Sequence, residues 1–130
     1  MIVLDASAAL EVLLRTPAAS ALEARLFDAA ESLHAPHLID VEVAQVLRRF
    51  CRSGHLLPER CREALTDFAD FPLTRYPHDF LLSRVWELRM NLTAYDAVYV
   101  ALAEALDATL LTRDRRLASA PAGRARIELV

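Results

Sequence analysis

The sequence predicts an α/β fold: a three-layer α/β/α sandwich around a mostly parallel sheet of about five strands. Three observations lead there. Short continuous apolar runs recur along the chain, as strands buried on both faces of a parallel sheet require. Longer segments with helical spacing separate those runs, which is the alternation that parallel strands need for their crossovers. The 130 residues, 55% of them apolar and 25% charged, have the size and composition of one compact domain spanning 1–130.

Residues 2–4 are the first apolar run, and Asp5 ends it. Residues 6–15 read as a helix of strong helix formers, closed by Pro17. Residues 18–30 are a second helical run with apolar positions at Leu22, Leu26 and Phe27. Residues 33–36 are a second short strand. In the helix at 38–53, Ile39, Val43, Val46, Leu47 and Phe50 form one apolar stripe. Gly54 stands where a left-handed C-terminal cap belongs.

Pro58 opens a helix running to about residue 70, since proline suits a first helical turn. Pro72 and Pro77 keep residues 71–77 extended, with room for a third strand. Residues 78–90 read as a helix carrying Phe80, Leu81, Val85, Trp86 and Leu88. Thr93 starts the next helix, residues 94–105, which is apolar nearly all round and therefore central. Residues 109–111 are a fourth buried strand, 113–118 a short helix and 127–130 a last strand.

Absent residue types exclude several chemistries. The chain has two glycines, Gly54 and Gly123, and no lysine. A glycine-rich phosphate loop with its lysine, and the GxGxxG dinucleotide turn, are therefore ruled out. So is phosphoryl-aspartate chemistry that steadies its phosphate with a lysine. Arginine supplies all the basic charge and suits phosphate recognition. A net charge of −3 excludes a generally basic nucleic-acid coat, so nucleic acid would be met by local arginines or a bound metal. No apolar run approaches the roughly 20 residues that span a bilayer, and no secretory leader is evident. The expected compartment is the cytoplasm, with no membrane partner. Cys51 and Cys61 form no CxxC pair and are expected to be reduced thiols. His34, His37, His55 and His78 are scattered, without catalytic or metal-binding spacing.

Four acidic residues stand out by position. Asp5 follows the first strand, Glu42 lies on the helix at 38–53, Asp96 is in a first turn, and Asp114 follows the fourth strand. Each also has a purely structural reading. Asp5 can cap the first helix. Thr93 and Asp96 fit a capping box. Asp114 suits the helix dipole, and Glu42 can be solvated. Taken together they say more. Strands one and four can be neighbours, which would put Asp5 and Asp114 at adjacent strand ends, on the edge where ligands bind. Gathered carboxylates repel and raise one another's pKa unless a cation compensates. Oxygen donors without cysteine or histidine select Mg²⁺ or Mn²⁺, which activate water and neutralise phosphate charge.

The segments IVLDASA at Asp5, IDVEVAQVLRR around Glu42, TAYDAVYVALAEAL at Asp96 and TLLTRDRRL at Asp114 resemble the PIN-domain family. Within that family the match is to VapC-type toxins of bacterial toxin–antitoxin pairs, and it covers nearly the whole chain. The resemblance implies an endoribonuclease dependent on Mg²⁺ or Mn²⁺, with Asp5, Glu42, Asp96 and Asp114 as metal ligands. It implies that Ser7 and Thr112 support those ligands from a second layer, helix capping being their structural alternative. It further implies a cognate antitoxin whose C-terminal segment covers the active site, an RNA substrate and a homodimer. A non-catalytic PIN-like module that binds RNA or protein is the alternative.

Arg113, Arg115 and Arg116 cluster beside Asp114. Arg113 and Arg115 are candidate RNA-phosphate contacts, a solvated helix face being the competing reading for each. Arg48, Arg49 and Arg52 form a surface or interface cluster. Tyr95 and Tyr99 are expected to be packing residues. Two departures from the family pattern are visible. Arg116 stands where many relatives have a further acid, which weakens the case for a second metal. The turn at Asp107-Ala108 lacks a glycine often found there.

Overall fold

The computed structural model describes residues 1–121 and 123–130. Five strands, β1 (Ile2–Leu4), β2 (Leu33–Pro36), β3 (Leu73–Tyr76), β4 (Thr109–Thr112) and β5 (Arg126–Leu129), form one sheet. Their order is β3-β2-β1-β4-β5, and all four pairings are parallel. β1 is the middle strand and is fully buried, which accounts for its unbroken apolar run.

The helices are α1 (Ala6–Leu13), α2 (Ala19–Leu26), α3 (Leu38–Arg52), α4 (Pro58–Ala69), α5 (Leu82–Glu87), α6 (Ala94–Leu106) and α7 (Arg115–Ser119). α1 packs with α2, α3 and α4, whereas α5 packs with α6, and these two groups sandwich the sheet. α6 lies against β1, β2 and β4 and buries every residue from Ala97 to Ala103. Its nearly uniform apolar composition follows from that central seat.

The structure differs from expectation at residues 78–90. The chain forms a 3₁₀ turn at Asp79–Leu81 and then only the short α5. Leu81, Val85, Leu88 and Leu92 reach the core, while Phe80, Leu82, Trp86 and Met90 are exposed. Apolar side chains stand on both sides of this segment, and one face alone can be buried. Arg89 closes the C-terminal end by donating to the Trp86 carbonyl, with its guanidinium over the indole ring.

Two unusual backbone positions have clear causes. Asp107 ends α6 in the left-handed region at φ 50°, so an aspartate does the work of the glycine missing from that turn. Gly123 has φ 62°, and a Cβ there would lie 2.1 Å from Glu104 Oε1. Glu104 accepts from Arg84 Nε at 2.6 Å, Arg84 Nη2 at 3.0 Å and the Arg124 backbone N–H at 2.7 Å. That clamp ties α5, α6 and the approach to β5 together. Among the described residues, no helix is long and apolar enough to cross a membrane.

Candidate active site

β1 and β4 lie side by side, with Ile2 against Thr109 and Leu4 against Leu111. The parallel register delivers Asp5 and Thr112 to the same edge of the sheet, and Asp114 follows two residues later. Asp5 caps α1: its Oδ1 accepts from Ala8 N at 2.9 Å and from Ser7 Oγ at 2.7 Å. Its Oδ2 accepts from the Thr112 hydroxyl, which is fully buried. Thr112 Oγ1 in turn accepts from Asp114 N at 2.9 Å, and Ser7 Oγ accepts from Arg113 N at 2.9 Å. Two small hydroxyls thus join the Asp5 carboxylate to the backbone that carries Asp114. Asp114 caps α7, accepting from Arg116 N at 2.8 Å and Leu117 N at 3.4 Å.

The other two acids arrive on helices. Asp96 sits in the first turn of α6, where its N–H donates to the Thr93 cap at 3.2 Å. Glu42 projects from α3, half-buried, and its Oε2 accepts from Tyr99 Oη at 2.5 Å. The cap reading of Asp5 therefore holds, Asp114 is the N-cap of α7 rather than a first-turn residue, and Asp96 occupies its expected first turn. The solvated reading of Glu42 does not hold.

All four acids line one cleft of about 780 Å³. Burial pushes the Asp5 carboxyl above its ordinary range, against the pull of its three hydrogen bonds, and Asp96 adds to the rise. Glu42 is raised by burial and by the charges of Asp5 and Asp96, with the Tyr99 bond opposing. Asp96 is raised by burial and by Asp114. Burial and the neighbouring Glu42 carboxylate push the Tyr99 phenol far up, so it remains a donor. Among the described residues, none of these four carboxylates is paired with an arginine.

The donor set fits a hard divalent cation by charge and by element, being all oxygen. The side chains do not close on one point. Among the described residues, no three His, Cys, Asp or Glu side chains stand close enough together to hold a metal ion. Asp5, Asp114 and Glu42 each accept hydrogen bonds from the protein while lining the same cleft.

The arginines divide. Arg113 lines the cleft, with Nε donating to Glu11 Oε1 at 3.1 Å and Nη1 donating to the Val130 carbonyl. Arg115 and Arg116 are exposed and do not line it. From the other basic cluster, Arg49 does. Tyr99 is packed as expected, at 2% exposure, whereas Tyr95 is 65% exposed on the cleft wall and is no packing residue. Sequence reasoning missed Glu11 and the Tyr99–Glu42 bond. Only Tyr99 carried a signal: a hydroxyl inside an otherwise apolar helix needs a partner.

The PIN domain family matches residues 2–123. The chain belongs to the PIN-domain family. Among relatives of this PIN domain, ribonuclease VapC9 of Mycobacterium tuberculosis is 50% identical over 117 residues, covering 90% of this chain and 88% of the relative. Ribonuclease VapC1 of the same organism is 44% identical over 129 residues, covering 98% and 96%. Among solved structures, VapBC2 from Rickettsia felis bound to a promoter DNA fragment has a TM-score of 0.71 at 17% identity, covering 98% of each chain. That last likeness bears on the fold: the all-parallel five-stranded sheet is the PIN arrangement, with the acidic cleft at the carboxyl edge of β1 and β4.

Proposed function

We propose that this PIN domain is the toxin of a toxin–antitoxin pair and a metal-dependent endoribonuclease that hydrolyses RNA phosphodiester bonds. One observation carries the reading: three buried or half-buried carboxylates share one cleft, held above their ordinary pKa and, among the described residues, without a cationic partner. The names of the relatives, ribonucleases of the VapC type, support it. Asp5, Glu42, Asp96 and Asp114 would hold Mg²⁺ or Mn²⁺. Such an ion, when bound, supplies Lewis acidity that activates water and offsets charge on the phosphate and the leaving 3′ oxygen.

The remaining work falls to the chain itself. Ser7 and Thr112 fix the rotamer of Asp5 and tie it to the Asp114 backbone, as outer-layer hydroxyls do for ligands. Arg113 lines the cleft, which favours it over Arg115 as the phosphate contact. The whole of 1–130 acts as one cytoplasmic domain, neutralised by a cognate antitoxin. It forms a homodimer; exposed Leu82 and Trp86, one helical turn apart, are apolar surface suited to that contact.

The test is RNA cleavage by pure protein with Mg²⁺ or Mn²⁺, against Asp5→Asn and Asp96→Asn. Wild type should cut and both variants should not. The alternative is a non-catalytic binding module, and the presence of all four acids in one cleft argues against it. Wild-type protein that binds RNA but never cuts, and behaves like both variants, establishes that reading instead.

A further inference from the structure

The four cleft acids are not equally constrained. Asp5 and Asp114 are short side chains locked by backbone N–H groups of the helices they cap. Asp96 is equally short and sits in a first turn. Glu42 is different. It rises from the second turn of α3 on a longer side chain, whose rotamer freedom must be lost to hold its carboxylate in one place. Among the described residues, no backbone group holds it. Among the described residues, its carboxylate has a single hydrogen-bond partner, the Tyr99 hydroxyl at 2.5 Å.

Tyr99 is well made for that task. Its ring is 2% exposed within the core, so the hydroxyl is fixed by packing. It lies three residues after Asp96, one turn along the same helix, so the two side chains share a face of α6. The bond crosses from α6 to α3 and engages Oε2; among the described residues Oε1 has no hydrogen-bond partner and lies at the cleft.

We infer that Tyr99 is a positioning residue for Glu42, holding its carboxylate toward the cleft from α6 and so setting the affinity for a divalent cation. This rests on the reading of Glu42 as a metal ligand. It gives Glu42 the fixed orientation that helix caps give to Asp5 and Asp114.

The experiment is Mn²⁺ binding to metal-free protein by calorimetry, with no RNA present. Tyr99→Phe keeps the ring and its packing and removes only the hydroxyl. The expected result is a dissociation constant weaker by about tenfold or more, the range for loss of an outer-layer partner. In a Glu42→Gln background the same change should have no further effect, because there is no carboxylate left to position. Equal affinity of Tyr99→Phe and wild type overturns the inference, as does full weakening that persists in the Glu42→Gln background. Should Tyr99→Phe not fold, wild type still carries a test. Mn²⁺ binding should perturb the tyrosine absorbance of wild type and leave that of Glu42→Gln unchanged. Binding without any tyrosine signal overturns the inference. Wild-type protein that binds no Mn²⁺ sinks the metal reading itself, and this inference with it; the other negative outcomes sink the inference alone.

Discussion

The same side-chain type is buried at two places in this molecule, with opposite electrostatic outcomes. At the clamp, the Glu104 side chain is 7% exposed and is met by Arg84 through two hydrogen bonds and by the Arg124 backbone. Arg84 holds the Glu104 carboxyl below its ordinary range, and Glu104 and Glu87 in turn push the guanidinium up. At the cleft, Asp5, Glu42 and Asp96 are buried or half-buried beside other carboxylates, and all three are pushed up. Burial alone therefore does not decide which way an acid's pKa moves here; among the described residues, the presence or absence of a paired arginine does. The clamp uses its charge to hold α5, α6 and the approach to β5 together. The cleft carries uncompensated charge that a ligand can relieve.

The contrast breaks most visibly if each region is mutated and both activity and stability are read. Asp96→Asn should cut RNA cleavage by more than about 100-fold, beyond the range typical of outer-layer changes. Its stability should be unchanged or slightly higher, since repulsion with Asp114 is relieved. Glu104→Gln should do the reverse. It leaves Arg84 underpaired and should lower urea stability by about 1–3 kcal/mol, less than a fully buried pair because Arg84 is partly exposed. Its cleavage rate per folded molecule should match wild type. A Glu104 variant that folds well but cuts poorly would erase the distinction.

Metal addition sharpens the same contrast. At about 100 times its dissociation constant, Mn²⁺ should stabilise wild type by about 2.7 kcal/mol. Glu104→Gln should gain as much from its lower baseline, and Asp96→Asn should gain little. An unchanged melting temperature for wild type at millimolar Mn²⁺ would mean that the cleft acids bind no metal of useful affinity.

Much of this was legible in the sequence, for identifiable reasons. β1 is a short unbroken apolar run and β4 carries a buried Leu110-Leu111 pair, so both read as sheet strands that can be neighbours; their pairing brings Asp5 and Asp114 to one edge. Asp96 was placed by the Thr93 cap. The helix expected at 78–90 was misread because its apolar residues cover both faces, and composition does not say which face the sheet takes. Phe80 and Trp86 went to solvent, and the helix shortened to six residues. The bond from Tyr99 to Glu42 joins residues 57 apart, and the spacing of residues within either helix does not reveal it. Glu11 escaped for the same reason. Its tie to Arg113 exists only because α1 and the end of β4 meet at the cleft.

The smallest expected effect is on pH dependence, and its sign differs between the two regions. Asp5, Glu42 and Asp96 titrate in the folded chain above their ordinary values of 3.8 to 4.5. Between those values and the raised ones, the native state holds more protons than the unfolded chain, so stability rises as pH falls through that window. Glu104 and Glu128 are depressed by their arginines. Their contribution is complete above the ordinary glutamate value and is lost only as pH drops through the lower folded one. Metal-free protein should therefore gain stability as the pH falls through the window between the raised and the ordinary carboxylate values. On further acidification it should lose stability as the clamp protonates. Urea midpoints across that range measure both limbs. Asp96→Asn should flatten the first limb alone and Glu104→Gln the second alone. Saturating Mn²⁺ should reverse the first limb, because a bound cation must be displaced before those carboxylates take up protons. A metal-free curve that falls steadily from neutral pH would show that the cleft acids carry no excess charge, which would remove the physical basis for treating the two regions differently.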